Sequence, residues 1–352
     1  MPVLSPFQSS IAKPGQGKVV LTLLPPGIPT LKTLTYKYPL KLLTRTSGFV
    51  PESSASKNAA RPVHLYLLSY GGGLLPGDQI EVSVTLEPCT RLVVTTPQGS
   101  TKIFKTEVEE VGTTRLAGGE EETRLQKMSR QVVDVRIDRG AALCYLPDPS
   151  VPFRDSRYEQ VQRFTVVDGT VRDDAQRSSL CVLDWVTQGR TSRGENWDFH
   201  SWRGKNEVWS ENDKKKKLLL RDSVILDQES QDPAAGYTLI RERTRPHGVV
   251  GTLILYGPLF ESLASFFMDT FASLPRIGGR NWSTAPSTAA DASHNNADGN
   301  VTWTAARVRA GFVLVKFGAR DFETARSWLG GLLRREGSIA REFGEEALLF
   351  CS

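Results

Sequence analysis

Residues that commonly bind metals or form covalent crosslinks are scarce in this sequence. Only four cysteines and four histidines are scattered over 352 residues, and none forms a C-x-x-C, H-x-H or H-E-x-x-H arrangement. This spacing argues against a disulfide framework, a structural zinc site and a locally encoded zinc enzyme. We therefore expect reduced and mostly buried thiols.

Long apolar runs are missing as well. No stretch approaches the roughly 18 consecutive apolar residues that a membrane-spanning helix requires, so we expect no membrane partner. Residues 1–17 are rich in serine and proline and lack the apolar centre of a secretory signal. With 39% hydrophobic and 24% charged residues, the composition predicts a soluble folded protein, which we expect in the cytoplasm.

The excess of basic residues is modest. The formal net charge is +5, and much of it lies in clusters such as Lys214–Lys217. A lysine run of this kind is usually a solvated loop, so we expect no nucleic-acid partner. A nucleic-acid surface is an alternative, although Trp202 and Trp209 lie upstream of the lysines rather than among them.

Strand-like runs dominate the first 255 positions. From Ile80 to Leu86 every second residue is apolar, which is typical of a half-buried strand. The pattern predicts a mainly β fold of antiparallel strands, in one domain over residues 18–350 that follows a flexible segment, 1–17. Further predicted strands are Arg91–Thr96, Thr101–Phe104, Val133–Ile137, Ala142–Leu146, Phe164–Val167, Leu180–Val186, Leu218–Leu226 and Val249–Tyr256.

Two α-helices are predicted in the C-terminal half. Pro258–Ser273 carries apolar residues at helical spacing and a proline suited to the first turn. Asp321–Arg335 begins with an acidic N-cap candidate and has its own apolar face. We expect both helices to pack on the core, and docking of a partner on the C-terminal helix is the alternative.

Three polar segments interrupt the strand pattern in its first half. Gly71–Asp78 places glycines ahead of a strand, and because no helix follows, a phosphate-binding loop is not favoured. Thr95–Phe104 groups hydroxyl and amide side chains that could satisfy a sharp turn or line a polar passage. Leu146–Tyr158 contains prolines that favour extended backbone, and Asp155 and Arg157 would share one face of a strand and could pair.

A fourth polar segment, Gly189–Phe199, follows a run that looks buried. It brackets Arg190, Arg193 and Glu195 with glycines and then aromatic residues. The density of opposite charges predicts a hairpin that presents these three side chains. For each of the four segments a purely structural role is the alternative.

Taken in this order, the four segments resemble the UreD (UreH) family of urease accessory proteins. Family members carry GG-x-x-x-GD before a strand, then T-x-Q-[AG]-[ST]-T-K-[IV]-[YF], LP-x-P-x-x-[PL]-F with a following arginine, and GR-x-x-RGE. The resemblance covers about residues 18–350. The matching segments are Gly72–Asp78, Thr96–Phe104, Leu146–Arg157 and Gly189–Glu195.

Insertions at residues 48–62, 106–130 and 276–304 exceed the compact bacterial pattern. They indicate a fungal-type member of the family and affect loop surfaces rather than the motifs. All three are poor in apolar residues, and we expect the last to be a disordered loop.

The resemblance implies a mainly β, non-catalytic maturation factor. Proteins of this family bind the accessory protein UreF, which recruits the GTPase UreG, and the assembly delivers Ni²⁺ to apo-urease. Nickel would be a transient cargo, with no permanently bound cofactor. Because a delivery protein must release its ion, the scarcity of cysteine and histidine fits looser oxygen ligands.

The same resemblance suggests a transient nickel path through the polar segments. Basic side chains would fix the orientation of the carboxylates along it. The candidate path residues are Asp78, Gln98, Ser100, Thr101, Asp155 and Glu195. The supporting basic residues are Lys102, Arg157, Arg190 and Arg193.

A β-rich serine hydrolase of unknown substrate is the alternative function. A serine nucleophile needs a histidine base within hydrogen-bonding reach and a carboxylate behind that histidine. No histidine lies beside the candidate serines in the sequence. The alternative therefore requires His64, His200 or His247 to approach Ser100 or Ser156 in the fold.

Overall fold

The computed structural model describes residues 13–49, 60–97, 101–106, 128–167, 177–212, 215–228, 239–274 and 301–351. The predicted mainly β fold is confirmed, since seventeen strands and a few helices make up the described chain. The strands are β1 Gln16–Leu24, β2 Ile28–Tyr36, β3 Leu40–Thr46, β4 Val63–Ser69, β5 Gln79–Leu86, β6 Arg91–Thr95, β7 Lys102–Ile103, β8 Ser129–Ile137, β9 Ala142–Tyr145, β10 Val151–Pro152, β11 Arg157–Val166, β12 Ser179–Thr187, β13 Ser201–Asn212, β14 Lys215–Asp227, β15 Val249–Tyr256, β16 Val301–Arg307 and β17 Val313–Ala319. The α-helices are α1 Ile240–Thr244, α2 Glu261–Ala272, α3 Phe322–Glu336 and α4 Ser338–Phe343, and 3₁₀ turns lie at Thr191–Arg193, Pro258–Phe260, Arg309–Gly311 and Glu345–Cys351.

Two large sheets face each other. Sheet A has the strand order β14-β13-β11-β8-β5-β1-β2, and sheet B has the order β16-β17-β15-β12-β9-β6-β4-β3. From β4 to β13 the long strands alternate between the two sheets: β4, β6, β9 and β12 lie in sheet B, and β5, β8, β11 and β13 lie in sheet A. The chain therefore coils around the core, and each turn places a strand beside the one laid down a turn earlier.

The prediction that the strands pair antiparallel is wrong for the centre of both sheets. The pairs β5–β8, β8–β11 and β11–β13 in sheet A are parallel, as are β4–β6, β6–β9 and β9–β12 in sheet B. The connections between these strands are corners that carry the chain to the opposite sheet. A parallel pair needs such a crossover, whereas the alternating pattern is the same for both kinds of pair. Antiparallel pairs occur at the outer strands, as in β1–β2, β3–β4, β13–β14 and β16–β17.

Sheet B is buried on both faces. One face meets sheet A in an apolar core, and the other is covered by α2, α3, α4 and the C-terminal turn. All nine residues of β12 are buried accordingly, whereas β5 in sheet A alternates between exposed and buried positions. The two predicted C-terminal-half helices correspond to α2 and α3. Core packing is confirmed for both, since Leu263, Phe267, Leu329 and Leu333 are buried.

Several predicted boundaries shift in the structure. Strand β1 begins at Gln16, inside the segment predicted to be flexible, and β16 includes the last four residues of the predicted disordered insertion 276–304. The lysine run predicted as a solvated loop instead opens strand β14, which begins at Lys215. The rest of the 276–304 insertion and most of the 106–130 insertion lie outside the described residues. No helix in the described ranges is long and apolar enough to cross a membrane.

Candidate functional site

The four polar segments occupy the same corner of successive turns of the coil. Each connects a strand of sheet B to the next strand of sheet A, namely β4 to β5, β6 to β8, β9 to β11 and β12 to β13. Short parallel contacts join the first three side by side, Leu74 with Ile103 and Ile103 with Pro152, and Ser150 of the third pairs with Val186 near the end of β12, just before the fourth. We call this set of neighbouring loops the corner cluster. Its first and fourth members lie more than a hundred residues apart in sequence, and all four form one surface.

Close approach of the loops depends on Gly73. A β-carbon at this position would lie 2.5 Å from the Phe104 ring and 2.7 Å from the backbone oxygen of Lys102. Gly71 and Gly72, the preceding residues, have φ of +84° and +73°, a region that side chains with a β-carbon rarely adopt. The glycine-rich segment thus bends sharply and packs its backbone directly on the second loop.

The Asp78 carboxylate stabilises its own loop. Its Oδ2 accepts a hydrogen bond from the Leu75 backbone N–H at 2.8 Å, and the Asp78 N–H donates to the Leu75 oxygen at 3.0 Å. The Asp78 backbone oxygen then accepts from Arg130 at the start of β8. These contacts fix the entry to β5 and link it to the neighbouring strand.

Glu195 and Arg190 form a largely buried ion pair within the fourth loop. The Glu195 side chain is 4% exposed and accepts hydrogen bonds from the Arg190 backbone N–H, Nε and Nη2. The Arg190 guanidinium also lies over the Phe153 ring at 3.7 Å, which joins the fourth loop to the third. Burial alone would raise the pKa of Glu195, but the bonds from Arg190 and from the backbone hold that pKa below its ordinary value.

Asp155 does not lie on a strand with Arg157, contrary to the sequence prediction. Its φ is +63°, and β11 begins only at Arg157, so the two side chains do not share a strand face. The Asp155 carboxylate lies 3.3 Å from Lys105 Nζ and 3.9 Å from His200 Nε2. Asp155 therefore contributes to the side of the corner cluster formed by the third and fourth loops.

The remaining predicted residues differ in their exposure. Thr101 lines both an internal cavity and a surface groove, while Lys102 lies on the groove and Arg193 is exposed in the 3₁₀ turn. Gln98 and Ser100 lie outside the described residues. Of the predicted path residues, Thr101 is the one that reaches the interior within the described part of the chain.

A small cavity of about 30 Å³ lies beneath the corner cluster, between the two sheets. Its walls combine hydroxyl, amide and carboxyl groups with apolar and aromatic side chains. At this volume it can hold about one water molecule or a small ion. The lining residues are Leu74, Thr96, Thr101, Ile103, Gln131, Tyr145, Pro147, Asp148, Ser150, Tyr158, Gln160, Asp184 and Trp185.

Asp184 supplies a carboxylate to this cavity from the middle of β12. The neighbouring inward positions, Val182 and Val186, belong to the apolar core. Gln160 Nε2 donates to Asp184 Oδ1 at 3.0 Å, and Asn206 Nδ2 donates to Oδ2 at 2.7 Å. Burial raises the pKa of Asp184 to about 6, although both amide donors favour the ionised form. A group with that pKa changes its charge within the physiological pH range.

Asp184 belongs to one of two polar rows that face each other across the sandwich. In sheet B, strand register aligns Asp184 with Thr252 and Thr252 with Lys316. In sheet A, register aligns Gln162, Asn206 and Asp222 in the same way. Asn206 bonds to Asp184 and Lys316 bonds to Asp222 across the gap. The two rows together form a polar chain that extends from the cavity to β14, the edge strand of sheet A, and to β17.

Asp148 links the cavity to the outside. It lines the internal cavity, a surface groove of about 540 Å³ beside the fourth loop and α3, and a second pocket of about 310 Å³ beside the C-terminal turn. Burial raises the pKa of its carboxyl group to about 6, and the charge of Arg326 partly offsets this. Together with Thr101, Asp148 lies between the internal cavity and the surface groove.

Sequence reasoning missed Asp184, Asn206, Asp222 and Asp148. The signal for Asp184 was an aspartate inside the apolar run Leu180–Val186, because a carboxylate at a core position is costly unless it has partners or a role. Asp148 stands at a variable position of the third motif. Asp222 ends Leu220–Asp222, a further segment that resembles the family, but that Asn206 and Asp222 lie side by side could be recognised only from strand register.

The hydrolase alternative has no support in this geometry. The Ser156 hydroxyl is fully buried and has no hydrogen-bond partner in the described structure, so no histidine activates it. Across the described ranges there is also no group of three or more His, Cys, Asp and Glu side chains that could hold a metal ion. The fold and site define a β-sandwich protein with a small polar cavity between its two sheets.

Comparison with known proteins gives the family. A profile described as UreD urease accessory protein matches residues 15–349. Urease accessory protein 4 of Cryptococcus neoformans is 32% identical over 72% of this chain and 73% of its own length. A urease accessory protein ureD-like of Schizosaccharomyces pombe is 30% identical over 83% of this chain and 84% of its own length. Urease accessory protein D of Arabidopsis thaliana is 31% identical over 68% of this chain and 67% of its own length. The chain belongs to the UreD family, which confirms the resemblance found in the four motifs.

Proposed function

We propose that this protein is a non-catalytic urease maturation factor that passes Ni²⁺ through its interior to apo-urease. Membership of the UreD family supports a role in urease maturation. The observation that carries the passage itself is the buried Asp184 carboxylate, which joins the cavity under the corner cluster to a polar chain across the sandwich. Nickel transfer would take place in the cytoplasm. All four cysteines are free, and free thiols are stable in that reducing compartment.

The donor atoms along this route suit a cargo that must be released. Carboxylate, amide and hydroxyl oxygens bind a divalent transition metal less tightly than thiolate or imidazole groups do. Asp148 and Thr101 would admit the ion, and Asp184 would hold it next to Gln160 and Asn206. Asp184 ionises with a pKa of about 6, so a large fraction is charged and able to bind a cation near neutral pH.

The residues predicted from the motifs take supporting roles in this proposal. Asp78 and Glu195 hold the first and fourth loops in place, and Arg190 joins the fourth loop to the third. Thr101 lies at the opening. Asp155 is proposed to line the outer approach to it, with Lys102 and Arg193 on the exposed side of the corner cluster. Gln98 and Ser100, which lie outside the described residues, and Arg157 stay predictions from the motifs.

UreF and UreG are the proposed partners on the supply side, and apo-urease is the proposed acceptor. The corner cluster is the surface where Asp148 opens to solvent, so we assign it to the partner that supplies the ion. Co-purification with tagged UreF and UreG tests this assignment. Substitutions on the exposed loop, such as Arg193→Glu, are expected to weaken the complex, whereas the exposed but distant Lys32→Glu is not.

The test of the passage is urease activation in cells that lack the native gene. Wild-type protein is expected to restore urease activity, and Asp184→Asn is expected to restore little while remaining soluble. Asp134→Asn is the matched control, because Asp134 lies on the outer face of sheet A and pairs with Arg163 at 3.4 Å. Full activation by Asp184→Asn would exclude the passage, and unchanged urease after deletion of the gene would exclude the maturation role itself.

A further inference from the structure

The polar chain ends at an ion pair between β14, the edge strand of sheet A, and β17, which lies one strand in from the edge of sheet B. Lys316 on β17 places its Nζ 2.5 Å from Asp222 Oδ1 on β14 and 3.5 Å from Thr252 Oγ1. The Lys316 side chain is 46% exposed, whereas that of Asp222 is 9% exposed. One partner is therefore held by the protein and the other reaches in from solvent.

Two oxygen atoms beside this pair lack hydrogen-bond partners within the described residues. They are Asp222 Oδ2 and Asn206 Oδ1, and their residues are 8% and 1% exposed. Asn206 also donates to Asp184, so its side chain points into the gap between the sheets. Buried acceptors of this kind usually find a hydrogen-bond partner. Asp222 also acts on Asp184, because burial and the nearby charge of Asp222 both raise the pKa of Asp184.

A lysine is suited to occupy such a place temporarily. Its ammonium group is a compact single charge on a flexible stem, and it can withdraw into water with little rearrangement of the backbone. A divalent cation carries twice the charge and can use the Asp222 and Asn206 oxygens that the lysine leaves unused. The two cations therefore compete for the same carboxylate.

We propose that Lys316 is a displaceable counter-ion that closes the sheet-edge end of the passage and yields Asp222 to an arriving divalent cation. The inference rests on the proposed function, since it assumes that the cation travels along the chain from Asp184. Lys316 keeps Asp222 paired when no cargo is present. It also lowers the affinity of the exit for the ion, because its return to Asp222 drives the ion out.

The first test is Ni²⁺ binding to the full chain, measured by competition with a coloured chelator. Removing a positive charge this close to the site is expected to tighten binding by about tenfold or more, so Lys316→Met should bind Ni²⁺ more tightly and release it more slowly. The double variant Lys316→Met/Asp222→Asn is expected to lose that gain. Lys205→Met is the control, because Lys205 lies between the inward residues of β13 and so points to the outer face of sheet A.

A second measurement uses the unmodified protein. If Ni²⁺ displaces the ammonium group, saturation with Ni²⁺ should speed the labelling of Lys316 by an amine-reactive reagent, read by peptide mass spectrometry. Labelling of Lys205 and Lys32 should stay constant. This readout remains valid if Lys316→Met does not fold.

The outcomes separate this inference from the proposed function. Loss of Ni²⁺ binding in Asp184→Asn with no change in Lys316→Met and no change in labelling would overturn the role of Lys316 and leave the passage in place. Ni²⁺ binding that is insensitive to Asp184→Asn and to Asp222→Asn would overturn both. Tighter binding in Lys316→Met that depends on Asp222, together with faster labelling, supports the displaceable counter-ion.

Discussion

Replacing Asp184 by asparagine should make the protein more stable at alkaline pH while removing its function. Asparagine keeps the size and shape of the side chain and removes its charge. Burial raises the pKa of Asp184 from an ordinary value of 3.8 to about 6. The folded state therefore disfavours the ionised form, and that cost is absent from the variant.

The magnitude follows from the linkage between proton binding and folding. Between about pH 4 and pH 6 the unfolded chain has released this proton and the folded chain has kept it, so wild-type stability falls as the pH rises. Raising the pKa of Asp184 from 3.8 to about 6 lowers the free energy of unfolding above pH 6 by about 3 kcal/mol. In the variant, one of the hydrogen bonds that Asp184 accepts is lost, because an amide N–H replaces one carboxylate oxygen. If the Asn206 amide turns over, its oxygen, which has no partner in the wild type, can accept from this new N–H. We expect a net gain of about 1–3 kcal/mol near pH 8 that disappears near pH 4.

The assay is urea unfolding followed by tryptophan fluorescence at about pH 4.5, 6 and 8. Asp134→Asn serves as the control, because the Asp134 side chain is 42% exposed and should change stability by less than about 0.5 kcal/mol at every pH. An Asp184→Asn variant that is less stable than wild type near pH 8 would refute the reasoning. A stability difference that does not depend on pH would also refute it.

Three further substitutions test the supporting structure. Glu195→Gln breaks the buried pair with Arg190 and should cost about 1–3 kcal/mol at neutral pH in urea unfolding; the deficit should shrink as the pH falls below the ordinary Glu value, because the pKa of Glu195 is lowered in the fold. Gly204→Ala would place a β-carbon 2.5 Å from the Trp202 ring and 3.1 Å from Asp184 Oδ2, so it should destabilise by about 1–3 kcal/mol in the same assay. Asp148→Asn should reduce urease activation several-fold without changing the circular dichroism spectrum, and full activation would remove Asp148 from the opening.

The sequence pattern was enough to predict the strands but not how they pair. Alternation from Ile80 to Leu86 identifies a half-buried strand whichever direction its neighbour runs. The short connection 87–90 resembles a hairpin turn, yet it carries the chain from β5 in sheet A to β6 in sheet B. Only the alternation between sheets over several turns reveals the parallel pairs.

The sequence predicts part of the candidate site but not the part that depends on how the strands pair. The four polar loops are visible as separate motifs, and the coil brings them into one corner cluster because each lies one turn after the previous one. Asp184 left a trace in the sequence, as a carboxylate within an apolar strand. The sequence gives no sign that Asn206 and Asp222 face Asp184 and Lys316, since that alignment depends on the register of four strand pairs.

The most direct test of the passage is the nickel content of urease after activation in vitro with purified UreF, UreG and this protein. We predict that Asp184→Asn joins the same complex as wild type, and that urease recovered from that complex contains little nickel. Asp134→Asn should load urease as wild type does. Normal nickel content in urease activated with Asp184→Asn would contradict a route for the ion through the interior of the sandwich.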